Sequence, residues 1–323
     1  MRIDRHHAGE RHSERIQSVI ASSSAASRPG VAASWRRSFI HYKLDPSVRP
    51  GGERLSAREL RLLQEEAGPM IRLAEAHLDR LAANVADAGC SVFLSDARGV
   101  VLAERIRAAD MGGFQSCNLV AGTDWSEQAE GTNGIGTCAA EERPVTIWRD
   151  DHFRESNTAL CCSGAPIFGA SGALAGVIDV SSARHTLDAA YARLLASSVQ
   201  ETARRIEASL FRQAYEGARI VSLAEEGTGA QEIALLALDR DDLVIGANRA
   251  ARRRLDLEEA QMGSLPASDL LDGAPRQGLA DAQRAEMARA LARTGGNVTA
   301  AARALGIGRA TFYRKAKALG LEV

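Results

Sequence analysis

The last 29 residues of the chain, 295–323, contain two short helical patterns that are separated by Gly306. Glycine gives the backbone the freedom that a tight turn between two helices needs. Ala300–Ala302 keep the first helix thin, so a second helix can cross it closely. The second pattern has an apolar side at helical spacing. This segment therefore predicts two crossed helices, and the apolar side of the second is formed by Ala310, Phe312, Ala316 and Leu319.

The opposite side of the second helix is polar and cationic. Between residues 281 and 323 there are eight Lys or Arg and three Asp or Glu, a local net charge of +5, whereas the whole chain carries −1. Charge concentrated in one terminal module is typical of DNA binding. The alternative is a solvated face on an ordinary pair of helices. The residues predicted to contact DNA are Thr299, Arg309, Thr311, Tyr313, Arg314, Lys315 and Lys317.

The first helix has two candidate N-caps, Asn297 and Thr299, whose side chains accept hydrogen bonds from free backbone amides. A supporting helix is predicted over 280–293. The pattern Gly-Asn, small residues, Leu-Gly-Ile and then Arg-x-Thr-hydrophobic-Tyr-Arg-Lys resembles the C-terminal domain of Fis-type regulators. This resemblance covers residues 280–323 and implies an all-α helix-turn-helix that binds double-stranded DNA.

Length and composition limit the remaining possibilities. The 323 residues suffice for about two domains and a small third module. No apolar run approaches the ~18 residues of a membrane span. The N-terminus continues into polar sequence without the apolar core of a signal peptide. An odd number of cysteines, five, favours reduced thiols. We therefore expect a cytoplasmic bacterial protein with no membrane partner.

The middle of the chain alternates between helical and strand patterns. Residues 1–30 are polar and are predicted to form a loose arm. A long amphipathic helix is predicted over 56–88, with a capping box of Ser56 and Glu59 at its start. Strand patterns follow from Ser91 onward, and a second long helix is predicted over 187–217, with Leu194 among its core-facing residues. Helix, antiparallel sheet and helix predict an α+β fold. The predicted strands are 91–96, a partner after the turn at 96–99, 144–148, 164–168 and 173–180.

Several motifs resemble the GAF sensory domain and N-terminal signature of acetoin-catabolism-type regulators. The resemblance covers residues 31–215. It implies a GAF domain that senses a small-molecule effector, between helices that pair two subunits in a homodimer. The motifs are Ala33-Ser-Trp-Arg-Arg-Ser38, Leu44-Asp-Pro46, Trp125-Ser-Glu127, Glu130-Gly-Thr-Asn-Gly-Ile-Gly-Thr137, Arg143-Pro-Val145, His152-Phe153, Cys162-Ser-Gly-Ala-Pro-Ile167 and Gly176-Val-Ile-Asp-Val-Ser181.

Members of that family commonly carry an AAA+ ATPase between the sensor and the DNA-binding domain. This sequence has no Gly-x-x-x-x-Gly-Lys-Ser/Thr motif, and the segment 131–136 lacks the lysine that a phosphate cradle requires. Instead, residues 233–251 predict a hairpin that runs into a helix and resembles the opening of a PAS domain. The predicted divisions are 1–55 (arm and short helix), 56–88 (dimerisation helix), 89–186 (GAF domain), 187–217 (connecting helix), 218–279 (linker with a truncated PAS-like segment) and 280–323 (helix-turn-helix).

The cysteines Cys90, Cys117, Cys138, Cys161 and Cys162 allow three interpretations. Thiolates and imidazoles bind zinc, iron or haem, but no Cys-x-x-Cys motif is present. A redox-active pair and a plain apolar lining are the others. No resident cofactor is predicted. The aromatic residues are core candidates as much as ligand contacts, and His152 is equally a structural histidine. The residues predicted to line an effector pocket are Phe93, Trp125, Asn133, Ile135, Thr137, Trp148, His152, Phe153, Cys161, Cys162 and Asp179.

Together these observations predict a ligand-responsive transcriptional regulator without its own sigma-54-remodelling ATPase. It would act by occupying DNA, by contacting RNA polymerase or by pairing with an ATPase-containing relative. The alternatives are a metal-, haem- or redox-dependent sensor, a GAF-type methionine sulfoxide reductase, and an architectural DNA-binding protein. No acid–base pair or nucleophile arrangement stands out in the sequence, so a non-enzyme is predicted.

Overall fold

We describe residues 3–21, 29–48, 54–184, 188–223, 233–240, 242–271 and 279–321 of a computed structural model. The chain divides into two compact units: Met1–Ala237 with Gly246–Glu258, and Leu238–Ile245 with Glu259–Val323. Within the described ranges, none of the helices combines the length and the apolar character that crossing a bilayer would require.

The helices are numbered in chain order. They are α1 Ile3–Ala21, α2 Pro29–Arg36, α3 Ala57–Glu66, α4 Gly68–Val85, α5 Met111–Ser116, α6 Glu127–Glu130, α7 Gly134–Glu141, α8 Ala189–Ala214, α9 Arg249–Leu255, α10 Ala267–Leu271, α11 Leu279–Arg293, α12 Val298–Ala304 and α13 Arg309–Ala318. A π-helical turn, Arg37–His41, extends α2, and single 3₁₀ turns cover Ala86–Ala88, Arg149–Asp151, Glu155–Asn157 and Glu259–Gln261.

The first unit is built on a five-stranded antiparallel sheet with the order β2-β1-β5-β4-β3. The predicted α+β class and the predicted strands are confirmed. Strand β4 begins three residues earlier than the predicted Gly164, because its pairing with β5 extends back to Cys161. The strands are β1 Cys90–Asp96, β2 Val101–Arg105, β3 Val145–Trp148, β4 Cys161–Phe168 and β5 Leu174–Ser182.

The two faces of this sheet have different neighbours. Successive side chains of a strand point to opposite faces. Val92 and Leu94 therefore pack in a core with α4 and α8. Phe93 lies in a second core with Ile135 and Trp125 on the other face. The sheet is thus covered on both sides within the first unit.

The predicted capping box is confirmed. Ser56 accepts a hydrogen bond from the backbone N–H of Glu59, and the Glu59 carboxylate accepts one from the Ser56 N–H. The helix predicted over 56–88 is divided at Ala67, since α3 ends at Glu66 and α4 begins with Gly68-Pro69. Proline at an early helical position loses no helical hydrogen bond.

Two predictions are wrong. Residues 3–21 of the expected loose arm form α1, because Ile16 packs against Trp35 and Phe153 and is fully buried. On α8, Leu194 is 66% exposed rather than core-facing. Apolar residues occur on several sides of α8, and the buried stripe falls on Ala192, Leu195, Val199, Ala203 and Ile206 instead.

A three-stranded sheet has the order β6-β7-β8, where β6 is Arg219–Leu223, β7 is Ala234–Leu238 and β8 is Val244–Ala247. The hairpin of β7 and β8 followed by α9 has the order of elements predicted for residues 233–251. Asn248 caps α9 by accepting a hydrogen bond from the Ala251 N–H.

Candidate nucleic-acid interface and sensor site

The helices α11, α12 and α13 of the second unit enclose a small apolar core. Phe312 is completely buried and packs with Met287, Ala290, Ala301 and Ala302. Asn297 rather than Thr299 caps α12, because its side chain accepts a hydrogen bond from the Ala300 N–H. The small alanines allow α12 and α13 to approach closely, as the sequence predicts.

The turn between α12 and α13 depends on Gly306, whose φ is +66°. Only glycine adopts this region without steric cost. One residue on the predicted apolar side of α13 is misplaced: Ala310 is exposed. It lies two positions from Phe312, so it projects from the opposite side of the helix.

Four of the seven residues predicted to contact DNA lie on one exposed side of α13. Arg309, Tyr313, Arg314 and Lys317 are exposed, and Thr299 is exposed on α12. Thr311 is half-buried. The half-buried Lys315 donates through Nζ to Gln283 Oε1 at 3.3 Å. The Arg309 guanidinium lies 5.6 Å from the centre of the Tyr313 ring. The second unit therefore presents a cationic helix face that suits a major groove.

In the first unit, the polar residues of the two signature motifs bind each other. Ser34 on α2 donates a hydrogen bond to Glu127 and lies 2.6 Å from the Thr132 hydroxyl. Arg37 donates to both carboxylate oxygens of Glu127 at 2.7 and 3.0 Å. Thr137 donates to Glu127 at 3.0 Å. We call Ser34, Arg37, Glu127, Thr132 and Thr137 the signature network.

The signature network closes the N-terminal segment onto α6 and α7. Its carboxylate, Glu127, is only 3% exposed, so its charge depends on these donors. Sequence reasoning missed the roles of Ser34, Arg37 and Glu127. The signal was present, because the Ser-Trp-Arg-Arg and Trp-Ser-Glu motifs occur together, but nothing in the sequence says that they touch.

Asn133 and Thr137, both predicted to bind ligand, have their hydrogen bonds taken up internally. Asn133 donates to the carbonyl oxygens of Trp125 and Gly131 at 3.0 and 2.8 Å, and it accepts from the Ile135 and Gly136 amides. The Asn133 side chain thus uses its hydrogen bonds to cap α7 and to stabilise the loop before it. These two residues shape the turn before α7.

The apolar residues predicted to line the pocket are distributed over separate cores. Phe93, Trp125 and Ile135 lie in the core beneath α7. Phe153 packs with α1 and α2, whereas Trp148 packs on the opposite face of the sheet. The sequence placed them in one pocket, but the structure does not bring them together.

Cys161 and Cys162 are adjacent on β4, so their side chains point to opposite faces of the sheet, and Cys162 lies in the core beneath α7. On the α7 side, Cys162, His152 and Asp179 are brought together with Ser181. His152 Nε2 lies 3.2 Å from Cys162 Sγ, and Ser181 Oγ lies 3.0 Å from the same sulfur and 2.5 Å from Asp179 Oδ2. His152 Nδ1 donates to the Arg149 carbonyl at 2.9 Å. We call these four side chains the buried relay.

Burial disfavours the charged forms of Asp179, His152 and Cys162. It raises the pKa of Asp179 to about 7, lowers that of His152 to about 4 and raises that of the Cys162 thiol well above its ordinary value. Ser181 Oγ can donate to either Asp179 Oδ2 or Cys162 Sγ, and the protonated Cys162 thiol can donate to His152 Nε2. Among the described residues, the buried Asp179 Oδ1 has no hydrogen-bond partner, so the relay is a polar core with one unsatisfied oxygen.

A motif glycine completes this packing. A Cβ at Gly134 would lie 2.4 Å from Asp179 Oδ1 and 2.6 Å from Cys162 Cβ. The start of α7 therefore rests directly on the relay. Gly134 is therefore needed for close packing. The segment 131–136 resembles a phosphate-binding loop only in its glycines.

The described cysteines are all free thiols. Burial raises the pKa of Cys90 and of Cys117 to about 11, so a reactive thiolate is disfavoured at both positions. Among the residues that the structure describes, no group of three or more His, Cys, Asp and Glu side chains is arranged to hold a metal ion. The metal and redox interpretations thus gain no geometric support from this part of the chain.

Asp179 makes stability depend on pH. An unfolded chain releases this proton near pH 4 and the native chain near pH 7. Between these values the unfolded state binds fewer protons, so stability falls as pH rises. Relative to the wild type, we expect Asp179→Asn to gain about 3 kcal/mol of unfolding free energy as the pH rises from about 4.5 to about 8, measured by urea denaturation.

The control for this substitution is Asp87→Asn, at a carboxylate that is fully exposed. Its difference from the wild type should stay level across the same pH range. If the Asp179→Asn difference is equally level, Asp179 does not hold its proton in the native state.

Two family models match the chain. Residues 7–203 match "MimR, N-terminal domain" and residues 278–319 match "Bacterial regulatory protein, Fis family". The acetoin catabolism regulatory protein of Cupriavidus necator is 30% identical over 274 residues, which are 81% of this chain and 41% of that protein. The propane 2-monooxygenase operon transcriptional activator of Mycolicibacterium goodii is 32% identical over 161 residues, 49% of this chain and 26% of that protein.

The acetoin dehydrogenase operon transcriptional activator of Bacillus subtilis is 32% identical over 154 residues, 48% of this chain and 25% of that protein. The chain thus spans about two fifths or less of the length of these relatives. Among solved structures, the Escherichia coli DhaR(N)–DhaL complex contains a chain that superposes with a TM-score of 0.51 at 18% identity, covering 74% of this chain and 81% of that one. At this identity the likeness concerns the fold alone.

Proposed function

This chain belongs to the family described as MimR, N-terminal domain, and from that premise we propose that it is a ligand-responsive, DNA-binding transcriptional regulator of the bacterial cytoplasm. The observation that carries the proposal is the exposed cationic stripe of α13 on a Fis-type helical unit. Its relatives are transcriptional regulators or activators, and we propose that this chain is likewise not an enzyme.

We propose that α13 enters the major groove. Arg309 stands at the N-terminal end of the helix, where recognition helices contact base edges, and Lys317 lies further along, where phosphates are contacted. Two subunits would place two such helices on symmetric half-sites about one helical turn apart. The homodimer would form through the helices around the sensor, 56–88 and 187–217.

We assign residues 89–186 to the sensor and 280–323 to DNA binding. The segment between the two matched regions, 204–277, contains no Walker A sequence. We therefore propose that regulation does not use an ATPase of its own in this segment. The chain would act by occupying DNA, by contacting RNA polymerase or by pairing with an ATPase-containing relative.

Coupling between sensor and DNA would run through α8. This helix packs on the sheet through Leu195, Val199 and Ile206. An effector that moves the start of α8 would change the spacing of the paired recognition helices. Such coupling is typically ~1–3 kcal/mol, or about 5–150-fold in DNA affinity.

The recognition helix is tested with Arg309→Ala. We expect specific binding to weaken by ~1–3 kcal/mol, because the guanidinium would lose its guanine. Lys317→Ala should instead reduce the salt slope by about 1. Fluorescence anisotropy on an operator selected from a random library, at several salt concentrations, measures both quantities.

The matched control is Arg293→Ala on α11, which removes the same charge from an exposed arginine that is paired with Glu286 at 3.1 Å. Its affinity should stay close to the wild type. Equal affinities for Arg309→Ala and Arg293→Ala would show that α13 does not read the sequence.

A further inference from the structure

A surface cavity of about 510 Å³ lies along the free edge of the five-stranded sheet. Strand β3 is the last strand of the sheet, so within the described ranges one of its edges has no neighbouring strand. The cavity is lined by β3, by the start of α2 and by the first turns of α8. We call it the β3-edge cavity. Of the eleven residues predicted to bind effector, two lie in it: Thr137 and Trp148.

The walls of the β3-edge cavity are mainly apolar. Val31 contributes from α2, Ile147 and Trp148 from β3, and Ala192 and Ala196 from α8. A concave, mostly apolar site of 300–1,000 Å³ with a few polar groups is typical of small-molecule binding. The small side chains on α8 leave the space that larger residues would fill.

The edge of β3 offers backbone hydrogen bonds. The Arg149 N–H donates to the Leu160 carbonyl, and the register pairs Ile147 with Cys162 and Val145 with Gly164. Antiparallel pairs alternate between bonded and non-bonded positions, so the N–H and C=O of Thr146 face outward. The backbone groups of Trp148 also face outward, but its backbone N–H already donates to Asp151 Oδ2 at 3.2 Å. Thr146 therefore provides an open donor and acceptor at the cavity.

The charged groups at the cavity are two arginines. Arg143 is half-exposed and pairs with Glu141, a carboxylate that is also bound by Arg37. Arg193 on α8 is exposed and makes no ion pair with a described carboxylate. Arg37 and Arg143 share Glu141, and Arg37 also pairs with Glu127. Counted with Arg193, three guanidinium groups stand against two carboxylates, which leaves one positive charge. An anionic group on the ligand would satisfy it.

We propose that the β3-edge cavity is the effector site and that it takes a small carboxylic acid with an apolar or aromatic body. The carboxylate binds Arg193 and Arg143, and the body packs on Trp148 and the α8 alanines. This inference rests on the proposed function for its regulatory meaning. The inference goes beyond the proposed function by placing the ligand at the sheet edge instead of in the interior of the sensor.

The position of the β3-edge cavity explains how a bound ligand affects α8. One wall, α2, is fixed to the sensor by the signature network, and the opposite wall is the beginning of α8. A ligand bound between them contacts α2, which is held in place, and displaces α8. Interior packing around the buried relay need not change.

The test uses the full chain and a probe set of hexanoate, benzoate and phenylacetate, with hexanamide and benzamide as neutral counterparts. Calorimetry should show binding of at least one acid and weaker or no binding of its amide. Arg193→Gln should weaken that acid by about tenfold, and Ala196→Phe, which fills the cavity, should abolish binding. Arg205→Gln, which removes an exposed arginine elsewhere on α8, should leave it unchanged.

Binding of no probe acid to the wild type, or equal binding by Ala196→Phe, overturns the site. Operator affinity is measured in parallel on the same samples. If the chain binds DNA specifically but binds no acid, the inference is wrong and the proposed function is unaffected. Acid binding that leaves operator affinity unchanged shows that the cavity is not the effector site. Absence of specific DNA binding removes the proposed function itself.

Discussion

Phe312→Ala should unfold the C-terminal helical unit and abolish specific DNA binding. The ring is completely buried at the centre of α11, α12 and α13, and truncating a buried phenylalanine costs about 3–5 kcal/mol. A unit this small has little stability in reserve. Hydrogen exchange of the full chain should show loss of protection over 279–321, while the five-stranded sheet stays protected.

The neighbouring Tyr313 is 42% exposed and serves as the control. Tyr313→Ala should keep the exchange protection of all three helices and affect only DNA affinity. If Phe312→Ala retains full protection, the core assigned to this unit is wrong. If both variants lose protection, α13 is not amphipathic as described.

Arg37→Met should destabilise the sensor unit by about 3–5 kcal/mol, because it leaves the buried Glu127 carboxylate without its cation. In the native chain this pair raises the pKa of Arg37, chiefly through the hydrogen bond to Glu127. The double variant Arg37→Met with Glu127→Gln should recover much of the loss, since a neutral amide needs no counter-ion. Urea denaturation of Arg37→Met, Glu127→Gln, the double variant and the wild type measures the coupling.

Arg98→Met is the comparison for a solvated pair. Arg98 binds Asp96 at 2.9 Å, but its side chain is 67% exposed, so its loss should cost at most about 1 kcal/mol. Equal costs for Arg37→Met and Arg98→Met would mean that the signature network does not hold the N-terminal segment. Failure of the double variant to recover stability would place the effect elsewhere.

Local chemistry made much of the fold predictable. The Ser56–Glu59 capping box, the Gly306 turn and the turn at 96–99 all depend on residues close together in the chain. The packing of α1 was missed because its stripe is short and finds its partners, Trp35 and Phe153, far along the sequence.

The candidate site was harder to predict for the same reason. Ser34 and Glu127 are separated by 93 positions, so the hydrogen bond between them could not be predicted from the sequence. The motif residues therefore resembled ligand contacts. The aromatic motif residues form ordinary core on both faces of the sheet. The β3-edge cavity depends on small residues, Ala192 and Ala196, which carry no chemical signal in a sequence.

In the proposed function, α13 reads DNA sequence. The most direct measurement is affinity capture of sheared genomic DNA from the source bacterium by the full chain, followed by sequencing, for the wild type and Arg309→Ala. We expect the wild type to enrich fragments that share an inverted repeat with half-sites about one helical turn apart, and Arg309→Ala to lose that enrichment. Wild-type capture that shows no shared motif, or one that Arg309→Ala retains in full, would contradict the claim.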